Sequence, residues 1–398
     1  MALFEFDPVG LPVDELIEEI GAALAARYAT VEEILLSAAA RRAYRILDLE
    51  QRAEDSTTEL ARQRALRDAE LARVAALAQL RGIVADELAR IRREDLAGEI
   101  VRTASTAGQA AAAAQLQPLG RRTTIPSSAA NAVGALEFDL RSKLTVMNQR
   151  ITRYPNDVYQ QVMSIYSPRI ILGAATTQQA QRAAVHSFLS EGIGSIPYLR
   201  RDGAVHLRMP IGSYAEMVGR TSAQRAWQEA GTHRMLQSGV SLGTISGGID
   251  ACARCAPWIG RIVSLDGTTG TVYVAHSTRN EQVEVRIDGT IDQARAAGWG
   301  HPNCRDRIVA YAPGLTVTQD PIVFDPAAEK ERADQRKLER EIRAAKREAA
   351  TAPDDVTRRR AEKKIREKQA EMRDFIKRTG RQRRSYREQA TFSHGTTP

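Results

Sequence analysis

All three cysteines of this chain fall into one pattern, Cys252-Ala-Arg-Cys255 followed by His301-Pro-Asn-Cys304. A two-residue gap inside each pair lets one tight turn aim both side chains at a single point. Three thiols and an imidazole make a tetrahedral donor set suited to zinc, with Cys252, Cys255, His301 and Cys304 as ligands. Nothing else in the sequence restricts the fold as much. One ion held at both places would fasten residues 252 and 304 together and close everything between them into a loop. A disulfide would join two thiols and strand the third. The plain alternative is that Cys252 and Cys255 are small core residues and His301 a turn residue.

The rest of the chain can supply more than one core. Its 398 residues are 43% hydrophobic but only 5% aromatic, with much alanine. That mix favours long helices with thin alanine seams. Residues 1–12 have neither the positive start nor the apolar core of a signal peptide, and no apolar run reaches the roughly 18 residues of a membrane span. A soluble chain made in a reducing cytoplasm is expected, where thiolate clusters bind metal more often than they form disulfides.

Apolar residues recur at three and four from residue 13 to about 116, as in Ile34, Leu35 and Ala38, and again in Leu71, Val74, Leu77 and Leu80. This predicts helix almost throughout, with Asp14 as a first cap and Thr30 as a second helix start. Residues 53–93 mix charge with alanine and leucine, as a long hairpin or coiled-coil arm would; an ordinary helical bundle is the alternative. An alanine run with Pro118, Gly120 and Pro126 predicts a linker or exposed loop at 104–128. Helix resumes near Ala129, Pro155 interrupts it, and a further helix follows at 158–165. Another is expected at 176–191, with Thr176 or Thr177 as cap and Gly192 as stop.

Arg201-Asp-Gly-Ala204 reads as a hairpin turn between short strands. Ser213 with Glu216 reads as the capping box of a helix that ends at Gly239. Strand-like runs follow at 240–245, 258–265, 271–275 and 282–287, then a short helix at 291–297. The metal would therefore clamp a small β insertion at both ends.

From 329 to 388, Lys and Arg outnumber Asp and Glu by 22 to 13, against a net charge of +8 for the whole chain. The segment reads as two helices broken at 351–354, with Asp354 or Asp355 capping the second. A narrow apolar stripe of Leu338, Ile342, Ala345, Val356, Ile365, Met372 and Ile376 suits an antiparallel hairpin. Its end is the least neutralised part: Lys377, Arg378, Arg381, Arg383, Arg384 and Arg387 are expected to meet an anionic partner, and DNA phosphates are the first candidate. A solvated hairpin docked on a protein is the alternative.

Four ordered segments now carry a resemblance. They are YAEMVGRT at 214–221, CARCAPWIGRIVSL at 252–265, ARAAG at 294–298 running into HPNCR at 301–305, and YAPG at 311–314. Together they resemble the phage minor capsid protein family, itself related to Mu-type head morphogenesis proteins. The resemblance implies a virion component added at or near the portal during head assembly, with portal or major capsid protein as partner. It implies several copies per particle, possible contact with packaged double-stranded DNA, and synthesis in a bacterial cytoplasm. The family continues past its last cysteine with a further Cys or His. Here Asp306 follows Arg305, which removes one potential ligand and leaves four. The stretch between the ligand pairs is also longer than usual, through the β-rich 268–290, an addition that would suit a capsid contact.

The expected fold class is α+β: predominantly long α-helices, a small zinc-clamped β-rich module and a charged C-terminal helical hairpin. The expected divisions are a helical arm at 1–117, a linker and helical region at 118–198, an α+β minor-capsid domain at 199–326 and a basic tail at 327–398. Two rival functions stay open. Cys304 and His301 have the chemistry of a nucleophile and base, although a filled four-ligand site leaves no place for a catalytic water. A zinc-containing DNA-processing factor would suit the tail but needs an acidic cluster that the sequence does not offer. His276, between the ligand pairs, is read as a surface residue, with base or alternative ligand as its other roles.

Overall fold

The computed structural model describes residues 11–120, 130–172, 178–193, 196–199 and 205–389. It is mostly helical with a small mixed sheet, an α+β fold. The chain forms two compact units, each drawn from three separated stretches: 1–21, 95–142 and 216–334 in the first, and 22–94, 143–215 and 335–398 in the second.

In the second unit, the part of α1 (Val13–Glu54) from residue 22 onward and α2 (Glu59–Arg93) run antiparallel. Arg27 pairs with Glu94 at 3.3 Å, Arg42 donates to Gln79 at 3.0 Å, and Arg73 meets Glu50, so partner numbers rise on one helix as they fall on the other. α1 is unbroken at Thr30, whose hydroxyl donates back to the Ala26 carbonyl instead of opening a helix. Asp14 lies in the first turn of α1. The buried stripe of α2 is Ala69, Arg73, Ala76, Leu80, Val84, Leu88 and Ile91. The expected Leu71 and Val74 are 61% and 59% exposed. Alanine lets the helices close up, and the inward-facing Arg73 is neutralised by Glu50 and Glu70.

α4 (Ala130–Leu172) passes straight through Pro155, where the sequence predicts an interruption. Burial of Met147, Ile151, Tyr154 and Val158 holds the helix together across the lost backbone bond. Pro155→Ala restores that bond and is expected to stabilise the chain by about 2 kcal/mol, read as a higher melting temperature. α5 (Gln178–Ser190) stops at Gly192, at φ +85°, as expected; its cap at 176–177 lies outside the described residues. β1 (Ile196–Leu199) and β2 (Val205–Met209) pair antiparallel, and the turn expected at 201–204 also lies outside the described residues. α6 (Ile211–Gln237) begins before Ser213: the Pro210 carbonyl already accepts the Tyr214 N–H at 3.0 Å. Ser213 is therefore inside the helix and accepts from Arg343 instead.

The tail helices α8 (Pro326–Ala350) and α9 (Asp355–Thr379) form the expected antiparallel hairpin. Asp354 caps α9 by accepting the Thr357 N–H at 2.7 Å, and Lys364 and Lys368 reach back to Glu348 and Glu341. The buried stripe is Ile342, Ala345, Ala361, Met372 and Phe375, whereas Val356 is exposed. It is alanine and phenylalanine, more than the expected Val356 and Ile376, that fill this seam.

In the first unit the alanine run is not a linker. It is α3 (Leu96–Leu116), ending in a short 3-10 turn at Pro118 with Gly120 left-handed at φ +65°. Residues 121–129 lie outside the described residues. Ala104, Ser105, Gly108 and Ala112 are buried, and α3 crosses α6 so closely that a Cβ on Gly108 would lie 2.1 Å from the Trp227 carbonyl oxygen. The sheet beside this crossing has the order β7-β4-β3-β8. β3 (Leu242–Ser246) is antiparallel to both β4 (Ile262–Ser264) and β8 (Arg307–Ala310), and β4 is parallel to β7 (Gly289–Thr290). Between β4 and β7, the hairpin of β5 (Thr271–Ala275) and β6 (Gln282–Arg286) packs its valines over Leu242, Val285 and Ile287.

Candidate metal centre

The first ligand turn follows β3 directly. Gly247, just beyond the strand, has no space for a side chain: a Cβ would lie 2.4 Å from Asp306 Oδ1 and 2.5 Å from Ile259 Cδ1. The Cys252 carbonyl then accepts the N–H of Cys255 at 3.0 Å and of Ala256 at 2.9 Å. This is the tight turn the spacing predicts, and it turns both sulfurs inward.

The second turn is carried back by α7 (Ile291–Ala296), which opens on a capping box between Thr290 and Gln293. Gly298 and Gly300 follow at φ +102° and +71°, conformations that a side chain would resist. The Cys304 N–H donates to the His301 carbonyl at 2.9 Å. Asn303 sits left-handed at φ +66°, and its N–H donates to Thr221 Oγ1 of α6 at 3.2 Å. Gln224 and Gln228, also on α6, donate to the Asp306 carbonyl at 3.0 and 2.8 Å. Two turns from distant parts of the sequence are thus held against a common helix.

The four predicted ligands come together as two overlapping groups that share Cys255. Cys252, Cys255 and His301 have their ligand atoms within 4.8 Å of one another, and so do Cys255, Cys304 and Asp306. His301 Nε2 lies 3.1 Å from Cys252 Sγ, and Cys255 Sγ lies 3.6 Å from Cys304 Sγ. A tetrahedral zinc would need edges of about 3.5 Å between sulfur and nitrogen and about 3.8 Å between two sulfurs. These two edges fall within a few tenths of an ångström of those values, while Cys304 is grouped with neither Cys252 nor His301, so the two halves would have to draw together around an ion. His301 Nδ1 faces the Pro302 carbonyl at 2.8 Å, which keeps a proton on that nitrogen and turns Nε2 toward the sulfurs. These donors and this geometry fit a metal ion.

The electrostatics divide the cluster into two lowered thiols, Cys252 and Cys304, and two groups that hold their protons, Cys255 and His301. Hydrogen bonding from Cys255, with help from His301, pulls the Cys252 thiol down to about 3. The same contacts push Cys255 up and raise His301 to about 9. Cys304 is lowered by its hydrogen bond with Cys255. The nearest thiol–imidazole pair is therefore Cys252 with His301, whereas Cys304 faces Cys255 and Asp306.

Asp306 is the residue that sequence alone misplaces. It reads there as a lost ligand, yet its side chain is 4% exposed and Oδ2 accepts from Cys304 Sγ at 3.5 Å. Burial pushes its carboxyl above the ordinary range. The signal is its position two residues after a ligand, where a short turn can bring it back to the same centre. His276 belongs to neither group. Its Nδ1 accepts the backbone N–H groups of Thr278 and Arg279, the arrangement of a local turn.

The basic end of the tail is less open than its composition implies. Arg387 is 1% exposed and its carbonyl accepts from Arg343. Arg383 makes two bonds of 2.6 Å with Glu388, and Arg381 donates to Gln335 at 2.9 Å. Arg384 is half-buried, while Lys377 and Arg378 are exposed at the end of α9.

No described helix is long and apolar enough to cross a membrane. No curated protein and no solved structure matches the chain. The family model described as phage minor capsid protein 2 matches residues 14–377, taking in the helical N-terminal stretch, both ligand turns and both tail helices, and the chain belongs to that family.

Proposed function

We infer that this chain, as a member of the minor capsid protein family, has a structural virion role among other phage head proteins. We propose that it acts at or near the portal during head assembly as a non-enzymatic component, in several copies, docking on portal or major capsid protein through its helical N-terminal half. One structural zinc would be held by Cys252, Cys255, His301 and Cys304, with Asp306 beside it. The ion would supply four bonds that lock the two turns together. The basic tail would contact packaged DNA through phosphates. The observation that supports the reading is the pairing of a match along nearly the whole chain with a Cys/His cluster in which the four predicted ligands fall into two overlapping groups that share Cys255.

Heads assembled without this protein are expected to be defective or non-infectious, with the fault in assembly or DNA delivery, as seen by electron microscopy and infectivity counts. The rival enzyme reading has one observation in its favour, the Cys252–His301 contact at 3.1 Å. It predicts normal-looking heads and an activity that disappears in His301→Ala while metal and fold are retained. That result would overturn the structural reading.

A further inference from the structure

We propose that the outward face of α9 is a track for the phosphate backbone of double-stranded DNA, formed by Arg359, Lys363, Arg366, Arg373 and Lys377. The proposal rests on the DNA-contact reading above. It moves the contact from the end of the tail, where Arg381, Arg383 and Arg387 are tied into the fold, to a face that packing leaves open.

Ala361, Met372 and Phe375 define the buried side of α9. At 100° per residue the five cations fall on the opposite side, recurring at intervals of three, four and seven, and all five are exposed. From 359 to 377 the stripe is about 27 Å long, at 1.5 Å per residue. That is the axial length of about eight base pairs at 3.4 Å each.

The cations on this face are mostly uncommitted. Among the described residues Arg366, Arg373 and Lys377 have no ion-pair partner, and the Arg359 guanidinium donates only to the Asp355 carbonyl, at 3.2 Å. Lys363 approaches Glu367 at 3.8 Å, but both side chains are more than half exposed, and such pairs are worth little. Glu362, Glu367 and Asp374 flank the stripe and do not interrupt it. By contrast, Lys364 and Lys368, turned toward α8, are neutralised by Glu348 and Glu341. The two sides of one helix have different charge arrangements, balanced where it packs and cationic where it faces out.

Duplex DNA fits this face better than an acidic protein does. Protein interfaces are built round an apolar or aromatic centre with charge at the rim. Along this stripe the one uncharged position is Ala370, and no aromatic side chain breaks it. Contacts to phosphates carry no sequence information, so binding along this track should be independent of sequence.

The test uses the full chain and a variant carrying Arg359→Gln, Lys363→Gln, Arg366→Gln, Arg373→Gln and Lys377→Gln. Circular dichroism checks the fold, which these exposed positions should leave unchanged. The probes are two unrelated duplexes of about 30 base pairs and poly-glutamate, titrated across a salt series. The wild type is expected to bind both duplexes alike, with a log–log salt slope near about −4.5 for five phosphate contacts. The variant is expected to bind about 100-fold more weakly at moderate salt, with a shallower slope. A folded variant that binds duplex like the wild type overturns the track and leaves DNA contact elsewhere in the tail. Wild-type binding to poly-glutamate in preference to duplex overturns it in favour of an acidic protein. Absence of binding to either probe overturns both the track and the DNA reading; the head role is judged separately by particle assembly.

Discussion

Cys255→Ser is expected to abolish metal binding and to loosen residues 252–304 before the rest of the chain. Cys255 is the member common to both donor groups and is 2% exposed, so no neighbour can take its place. Wild-type protein should carry about one zinc per chain by elemental analysis, and the variant close to none. The size of the effect follows from what else holds the segment. The apolar cluster under the β5–β6 hairpin has three buried members, Leu242, Val285 and Ile287. At about 2 kcal/mol each, they supply about 6 kcal/mol before any ordering cost. Structural zinc contributes an apparent 10–16 kcal/mol, roughly twice as much, in small zinc-dependent peptides. A bound zinc would therefore outweigh that small cluster under the hairpin, while Ile259, Val263, Leu265, Ile291 and Trp299 of the same segment pack into the larger core. Hydrogen exchange in β5, β6 and α7 should rise steeply on chelation while the α1–α2 hairpin keeps its protection. Wild-type protein that is metal-free yet equally protected there would sink the zinc assignment.

Two glycine substitutions should move stability in opposite directions. Gly108→Leu is expected to cost more than about 3 kcal/mol, the upper end for ordinary overpacking, because even the first carbon would lie 2.1 Å from a backbone oxygen of Trp227. Backbone cannot rotate away as a side chain can, so α3 and α6 would have to separate along their seam. Gly82→Ala is the counterpart. Gly82 is an exposed position in α2 with nothing near its missing Cβ, and alanine there should add about 0.5–1 kcal/mol. Thermal denaturation of the two variants measures both. If Gly108→Leu melts with the wild type, the close crossing of α3 and α6 is wrong.

Sequence signals are legible where they act locally. The i, i+3 cysteine turns, the Asp354 cap and the stop at Gly192 each depend on a few neighbouring residues, and each appears in place. What the sequence does not display is the identity of the neighbour. Leu71 and Val74 look like core because they are larger than Ala69 and Ala76, yet a close helix pair selects the small side chains. The run around Ala110 looks like a linker for the same reason, although small residues are what let α3 lie against α6. Pro155 reads as a break because the bond it removes is visible in sequence, whereas the packing that compensates is not. At the metal centre, spacing announces both pairs but not their cross-matching. His301 meets Cys252, 49 positions away, more closely than its own turn partner, and Asp306 joins only through the return of the chain toward Gly247.

The interleaving of the two compact units also sets an order of events during synthesis. Residues 22–94 emerge from the ribosome early, but the stretch from 335 onward that completes their unit emerges only after all of 95–334. At roughly 5–20 residues per second that interval lasts tens of seconds. Through it, the side of α1 that meets the tail, where Tyr44 donates to the Thr351 carbonyl, stays uncovered. A product truncated before residue 335 can hold all of the first unit but cannot finish the second. A nascent chain of this design therefore commits to its final form only near the end of translation, which leaves a window in which an early-arriving partner or a chaperone can engage its first helices.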